Sequence, residues 1–394
     1  MNGGYDCEVV VVGLGAMGSC ALWSLARRGV HAIGLDQFNP PHEQGSSHGE
    51  TRLIRSAMLE GPAYVPLIRR AFELWGELGN ESSQALFVRA GVLFISPPGA
   101  SKMAALAAKA LDTVGLPHQA LSGEDLLARY PQHRDVSGLV ATFDPSGGFV
   151  RPEQTISGAL QVAEARGATV LRETNVSALS NGTQGGIVVE TSRGPVTARR
   201  AVISVGAWLP TLLGKSAPPV SIERQIFAYF ELDGSTSYAP QDFPPFMRED
   251  TLGARGIGPH GWLSHGLSGF PSLDGSHMKL VLLEAGRPTT MDSLDRRVSE
   301  AQLEALKASE VDTRLGGLSR PVAGSGRACL YTNAPDRNFI VGPLPDQPNM
   351  ILLSACSGHG FEFAPAVGEL GADLATATPP RVPTHAFSPT RLTP

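Results

Sequence analysis

Gly13-Leu14-Gly15-Ala16-Met17-Gly18 fits G-x-G-x-x-G, and the chemistry of that spacing is anion binding. Gly13 permits a tight turn, and Gly15 lets backbone N–H groups approach a pyrophosphate. Gly18 lets the following helix lie close on the preceding strand. The helix N-terminus then turns its partial positive charge toward the phosphates. Asp36 follows 18 residues after Gly18, where a carboxylate accepts hydrogen bonds from the adenosine ribose hydroxyls. Together these residues point to a dinucleotide. They leave NAD and FAD open, and the acid at 36 argues only against NADP.

Other reactive side chains stand in unusual settings. Arg52 and Arg55 lie three apart in SSHGETRLIR, behind His48 and around Leu53 and Ile54. Lys279 is embedded in the apolar run SHMKLVLL, and Cys329 and Tyr331 alternate in GRACLYT. Residues 357–363 read SGHGFEF, with His359 between Gly358 and Gly360 and Glu362 between two phenylalanines. Charged side chains are rarely buried unless paired, and long ones usually snorkel to an edge. An acid or cation inside an apolar run therefore either faces water or is buried for a purpose. The four cysteines, Cys7, Cys20, Cys329 and Cys356, form no C-x-x-C and lie near no histidine at zinc-like spacing. No metal is expected, and a reducing compartment is the default.

The elements that must position these groups follow from apolar periodicity. Val9 to Val12 reads as a buried parallel strand, and Ala21, Leu22, Leu25 and Ala26 recur at helical spacing. Gly29 stops that helix, and Val30 to Leu35 reads as a second strand. Further helices are expected over 65–79, 102–114, 152–165, near 298–309, and 364–375. Strands are expected at Val92 to Ser96, Thr169 to Leu171, Ala328 to Thr332, Phe339 to Val341 and Met350 to Leu353. Residues 184–205 read as a hairpin turning at Ser192-Arg193-Gly194. The region 215–315 has its own extended segments and a Gly/His-rich loop over 252–269. It suggests a substrate domain with an antiparallel sheet.

The expected fold is thus α/β: a Rossmann-like nucleotide domain and a second antiparallel-sheet substrate domain, interleaved along the chain. The nucleotide segments are 1–83, 145–215 and 320–394; the substrate segments are 84–144 and 216–319. A chain of 394 residues, 42% apolar, is ample for two such cores. Net charge is −5, with charged residues at 18% and no basic block, so nucleic acid and anionic membrane surfaces are poor partners. The apolar run over 9–26 follows Asp6 and Glu8 rather than positive charge, which argues against a signal peptide. No other run reaches the roughly 18 residues of a spanning helix. A cytoplasmic protein, monomeric or a small homo-oligomer, is expected.

The glycine motif, the tract DQFNPPHEQGSSHGETRLIR (36–55), GRACLYT (326–332) and SGHGF (357–361), in that order, resemble the monomeric sarcosine oxidase and N-methyltryptophan oxidase family. These are flavin-dependent amine oxidases of the D-amino-acid oxidase superfamily. The resemblance runs from residue 7 to about 390. It implies FAD as cofactor and oxidation of a secondary amine to an imine, with O2 reduced to hydrogen peroxide. It further implies a covalent bond from Cys329 to the flavin, with Cys356 left as packing. Arg52 and His48 would lie beside the flavin ring, and His359 with Gly358 and Gly360 would approach it closely. Lys279 would point at flavin N5 and assist O2 reduction, and Arg55 would grip a substrate carboxylate near Tyr331.

The chain departs from the family at Glu362, where the sarcosine-type enzymes place a lysine that completes the carboxylate grip. Leu283 likewise stands where a histidine is expected. Sarcosine is therefore not carried over as the substrate. Glu362 either pairs with Arg55, leaving a site for an amine without an α-carboxylate, or binds a second cationic group, or turns to solvent and changes nothing. The competing functions are a flavin-dependent dehydrogenase with another electron acceptor, an NAD-dependent dehydrogenase, and a catalytically altered flavin-fold binding protein.

Overall fold

The computed structural model describes residues 4–183, 185–249 and 266–392, with backbone alone over 282–287. Most of the Gly/His-rich loop, 252–265, and the side chain of Leu283 lie outside the described residues. The fold is mixed α/β, built on two large sheets.

Strand Cys7–Val12 sits in the interior of an eight-stranded sheet. It runs parallel to Ala32–Leu35 on one side and to Val196–Ile203 on the other. Thr169–Leu171 and Gln347–Ser354 extend the parallel part outward. Strands buried on both faces must be apolar throughout, which is why VVVV reads as a run rather than an alternation. Ile187–Thr191 and Val196–Ile203 form the expected hairpin, closed by the Gly194 N–H donating to the Thr191 carbonyl at 3.1 Å.

Helix Ala16–Arg27 follows the glycine turn and packs on helices Pro152–Ala165 and Ala364–Ala375. Gly368 allows the last of these contacts, since a Cβ there would stand 2.5 Å from the Cys20 carbonyl carbon. Helix Val65–Ser82 buries Leu67, Ile68, Ala71, Leu74, Trp75 and Leu78 along one stripe. Each leucine or isoleucine side chain so taken from water contributes about 2 kcal/mol.

The second sheet has nine strands, and its spine is the long strand Ser221–Leu232. That strand pairs antiparallel with His277–Thr289 on one side and with Leu318–Pro321 and Arg327–Asn333 on the other. Among the described strands one pair departs from the antiparallel pattern: Phe246–Glu249 runs parallel to Val92–Ser96. Arg327–Asn333, grouped from sequence with the nucleotide segments, belongs to this second sheet. Its alternation (buried Ala328, Leu330 and Thr332) suits either sheet, and pairing partners are not visible in one strand's composition. A third, three-stranded sheet joins Arg52–Ile54, Gly148–Val150 and Phe87–Arg89.

The helix expected near 298–309 spans Glu300–Leu306, with a capping box between Ser299 and Gln302, and runs on into a π-turn at Lys307–Val311.

Candidate active site

The two large sheets enclose a cavity of about 510 Å3, within the usual range for ligand clefts. Gly13, Gly15, Asp36, Arg52, Arg55, Lys279, Cys329, Tyr331, Gly358, His359, Gly360 and Glu362 all line it. Gly18 and His48 lie just behind the wall.

At the nucleotide end, Gly13 has φ +87°, and a Cβ there would meet the Ser204 carbonyl oxygen at 2.7 Å. A Cβ at Gly18 would strike the Gly13 carbonyl oxygen at 1.8 Å, so Gly18 serves packing of helix on strand. At Gly15 the nearest atom is Ser47 Oγ, 3.6 Å away, so the backbone there is open to the cavity. Helix Ala16–Arg27 has a glycine at its N-cap and no acid in its first turn; Ser47 Oγ accepts from the Ala16 N–H at 3.3 Å. Its positive end is left to whatever fills the cradle. Asp36 accepts hydrogen bonds from the Leu14 and Phe38 N–H groups, both at 2.8 Å, and His42 Nε2 stands 3.5 Å from it. Those bonds fix the carboxylate at the cavity wall.

Near the middle, Arg52 donates to the Thr51 carbonyl at 2.9 Å and to the Ser46 carbonyl at 3.1 Å. Its Nη2 also lies 3.6 Å from Cys329 Sγ. Cys329 reaches this point because it faces Gln225 across the strand pair. His48 is buried against Phe227, ring centroids 5.4 Å apart, and its ring nitrogens have no hydrogen-bond partner among the described residues. Burial first, then the charges of Arg52 and Lys279, pull its pKa down to about 3, so it is neutral.

Lys279 lies opposite Tyr229 on the sheet and points into the cavity. Its ammonium donates to the Gly49 carbonyl at 2.6 Å and to the Thr51 carbonyl. It also sits over the Phe270 ring, 4.2 Å from the centroid. Burial and the Arg52 charge pull its pKa well below that of a free lysine. Glu153 organises the same loop, accepting from the Gly49 N–H at 2.5 Å and from the Glu50 N–H at 3.1 Å.

At the far end, Arg55 is already occupied. Glu60 takes both terminal nitrogens, one at 3.1 Å, and the Ala57 carbonyl accepts from one of them. Burial alone would pull the Arg55 pKa down; Glu60 and then Glu362 more than reverse this. Burial likewise pushes the Glu60 carboxyl up, and Arg55 outweighs it. Glu362 does not turn to solvent: it is 4% exposed. Its Oε1 is 3.6 Å from Arg55 Nε, too far for a hydrogen bond. Burial raises its pKa to about 8 despite Arg55. His359 stacks on Phe339 at 4.6 Å, and its Nδ1 is 3.1 Å from the Ser357 carbonyl oxygen. Burial lowers its pKa to about 4.

A family model for FAD-dependent oxidoreductases (DAO) matches residues 8–374. Monomeric sarcosine oxidase of Streptomyces avermitilis is 33% identical over 397 residues, covering 100% of this chain and 99% of that protein. N-methyl-L-tryptophan oxidase of Salmonella heidelberg is 33% identical over 387 residues, 98% of each. This chain belongs to the FAD-dependent oxidoreductase family. Solved folds agree with that membership. NikD, an unusual amino acid oxidase essential for nikkomycin biosynthesis, superposes with TM-score 0.83 at 20% identity, covering 97% of each chain. Glycine oxidase from Geobacillus kaustophilus superposes with TM-score 0.78 at 18% identity, covering 98% of this chain and 99% of that one.

The flavoprotein's own residues fit the cofactor. The open backbone at Gly15, at a helix start with no acid in its first turn, suits a pyrophosphate, and fixed Asp36 suits a ribose. Beyond them the cavity continues between Cys329 and the Gly358–Gly360 turn. A Cβ at Gly360 would strike the Ala355 carbonyl oxygen at 1.8 Å, and one at Gly358 would crowd the Tyr331 ring at 3.1 Å. A short turn at Phe361–Phe363 leads from these glycines into helix Ala364–Ala375, whose positive end faces the same space.

Sequence reading missed Glu60, Glu153 and the Ser46 carbonyl. Glu60 lies in an irregular connection, and five residues of separation from Arg55 carries no periodic signal. Glu153 resembles any first-turn helix acid.

Proposed function

We propose that this protein oxidises a secondary amine, of the N-methyl amino acid type or related to it, to an imine, with O2 as final electron acceptor and hydrogen peroxide as product. The carrying observation is that one cavity brings the glycine cradle, the Cys329 thiol and the Lys279 ammonium together. The relatives named for sarcosine and N-methyl-L-tryptophan support the amine class. FAD, when bound, supplies the two-electron chemistry for both half-reactions.

In this reading Gly13 and Gly15 hold the pyrophosphate, and Asp36 accepts from the ribose hydroxyls. Cys329 anchors the flavin covalently, with the Arg52 guanidinium 3.6 Å from its sulfur. His359, Gly358 and Gly360 wall one side of the flavin ring, and His48 backs Arg52 from behind. Lys279 acts as a fixed cation where charge develops on oxygen, a task that needs preorganised charge in a dry site. Its two carbonyl partners hold it there without neutralising it. The substrate nitrogen must be neutral to react, and the neighbouring Arg52 and Lys279 charges disfavour its protonation. Tyr331, Arg55 and Glu362 line the substrate end. All four cysteines are free, which suits a cytoplasmic setting. Among the described residues no helix is long and apolar enough to cross a membrane.

The test is anaerobic bleaching of the purified yellow holoenzyme by an amine panel, followed by admission of air. Stoichiometric peroxide per turnover is expected. Bleaching without peroxide would identify a dehydrogenase using another acceptor, and absence of bleaching by every amine would refute amine oxidation.

A further inference from the structure

Both terminal nitrogens of the Arg55 guanidinium are committed. Glu60 holds the terminal fork from one side, and Nε faces Glu362. A substrate carboxylate binds arginine best through two adjacent N–H groups, and that fork is closed. Arg55 and Glu60 answer one another at this end of the cavity, and buried Asp144 is met by the Ser56 and Ser146 N–H groups. Among the described residues Glu362 has no cation within hydrogen-bond reach; the neighbouring His359 is held neutral by burial.

The unanswered oxygen is located. Glu362 Oε1 is buried and has no hydrogen-bond partner among the described residues, yet its residue lines the cavity. The main chain that carries this carboxylate is held from behind. Trp75 Nε1 donates to the Glu362 carbonyl at 2.9 Å, and the Trp75 ring stacks on Phe361, centroids 6.1 Å apart at 23°. Glu362 is itself 4% exposed, so its carboxylate lies out of bulk water. A buried acceptor left unpaired costs free energy, and that cost is relieved by whatever donor the cavity receives.

Resting on the amine-oxidation reading, we infer that Glu362 selects the substrate class: the amine oxidised here carries a second, cationic group that donates to Glu362 Oε1, not a carboxylate gripped by Arg55. An ammonium or guanidinium a few bonds from the reacting nitrogen satisfies the orphaned oxygen and favours the ionised carboxylate over the protonated one.

Three near-isosteric amines test this on the holoenzyme: N-methyl-1,3-propanediamine, N-methylbutylamine and N-methyl-β-alanine. Dissociation constants are read anaerobically from perturbation of the flavin absorbance, which needs no turnover. Limiting rates of bleaching are read separately. In the wild type the diamine is expected to bind about tenfold or more tighter than the neutral amine, as a charge-assisted hydrogen bond allows, and the carboxylate amine weakest. Glu362→Gln should erase the diamine's advantage, and Glu362→Lys should reverse the order. Equal or tighter binding of N-methyl-β-alanine by the wild type overturns the inference. So does a wild-type order that survives in Glu362→Gln, which preserves shape. If all three amines bleach the flavin with that order unchanged, only the selection role fails. If no amine binds or bleaches, the underlying reading fails with it.

Discussion

Arg52 Nη2 and Cys329 Sγ lie 3.6 Å apart, and both are turned toward the Ser46 carbonyl oxygen, at 3.1 and 3.7 Å. The thiol thus has a cation at one side and a carbonyl acceptor at the other. If Cys329 carries the flavin, Cys329→Ser should release all yellow colour into the supernatant on acid precipitation, while the wild type keeps it in the pellet. Arg52→Met should leave the thiol in place yet lower the tethered fraction several-fold, because the guanidinium that donates to the sulfur is gone. Full tethering in Arg52→Met would show that the guanidinium has no part in the bond.

Lys279 separates the two half-reactions. Lys279→Met keeps the length and the apolar stem but removes the cation. Flavin reoxidation by O2 should slow by about 100-fold or more, the scale seen when one preorganised electrostatic group is lost. Flavin reduction by amine should change much less. Stopped-flow measurement of each step decides, and equal slowing of both would count against the assignment.

Gly13 tests the nucleotide cradle. Gly13→Ala must place a methyl group 2.7 Å from the Ser204 carbonyl oxygen at a backbone φ of +87°. The turn has to shift, at a cost of about 1–3 kcal/mol. The variant should purify with a markedly lower ratio of flavin to protein absorbance. Full flavin occupancy would remove the cradle from the proposal.

Much of this site was legible in sequence because it depends on local pattern. The glycine spacing and Asp36 sit in one βαβ unit, so their separation along the chain fixes their separation in space. Lys279 stood out because a cation in an apolar strand breaks the binary pattern. The partnerships were not legible. Arg55 looked available for a substrate because Glu60 sits in a connection without periodicity. Arg327–Asn333 was grouped with the wrong sheet because its partner, Ser221–Leu232, is about a hundred residues away and strand pairing leaves no mark in a single strand. The four strands flanking Cys7–Val12 and its neighbours, by contrast, were recoverable from length, apolar run and flanking glycine.

Glu362 also makes a pH prediction. Its pKa is raised by burial to about 8, above the value near 4.3 of an unfolded glutamate. A raised carboxyl pKa means that the folded state binds the proton more tightly. The group's contribution to stability is most favourable below about 4.3 and is lost as pH rises through 8. Glu362→Gln cannot lose a proton. Its melting temperature relative to wild type should therefore climb between pH 5 and pH 9, read by differential scanning of the holoprotein. A difference that stays flat across that range would place the ionisation elsewhere.

The phosphate cradle belongs to the eight-stranded sheet, whereas Cys329 hangs from the nine-stranded one. If Cys329 carries the flavin, a cofactor gripped by the first sheet and bonded to the second acts as a rivet between separate layers. Opening either layer then strains the other, so the loaded protein should melt as one cooperative body, and the colour should leave only when both halves let go.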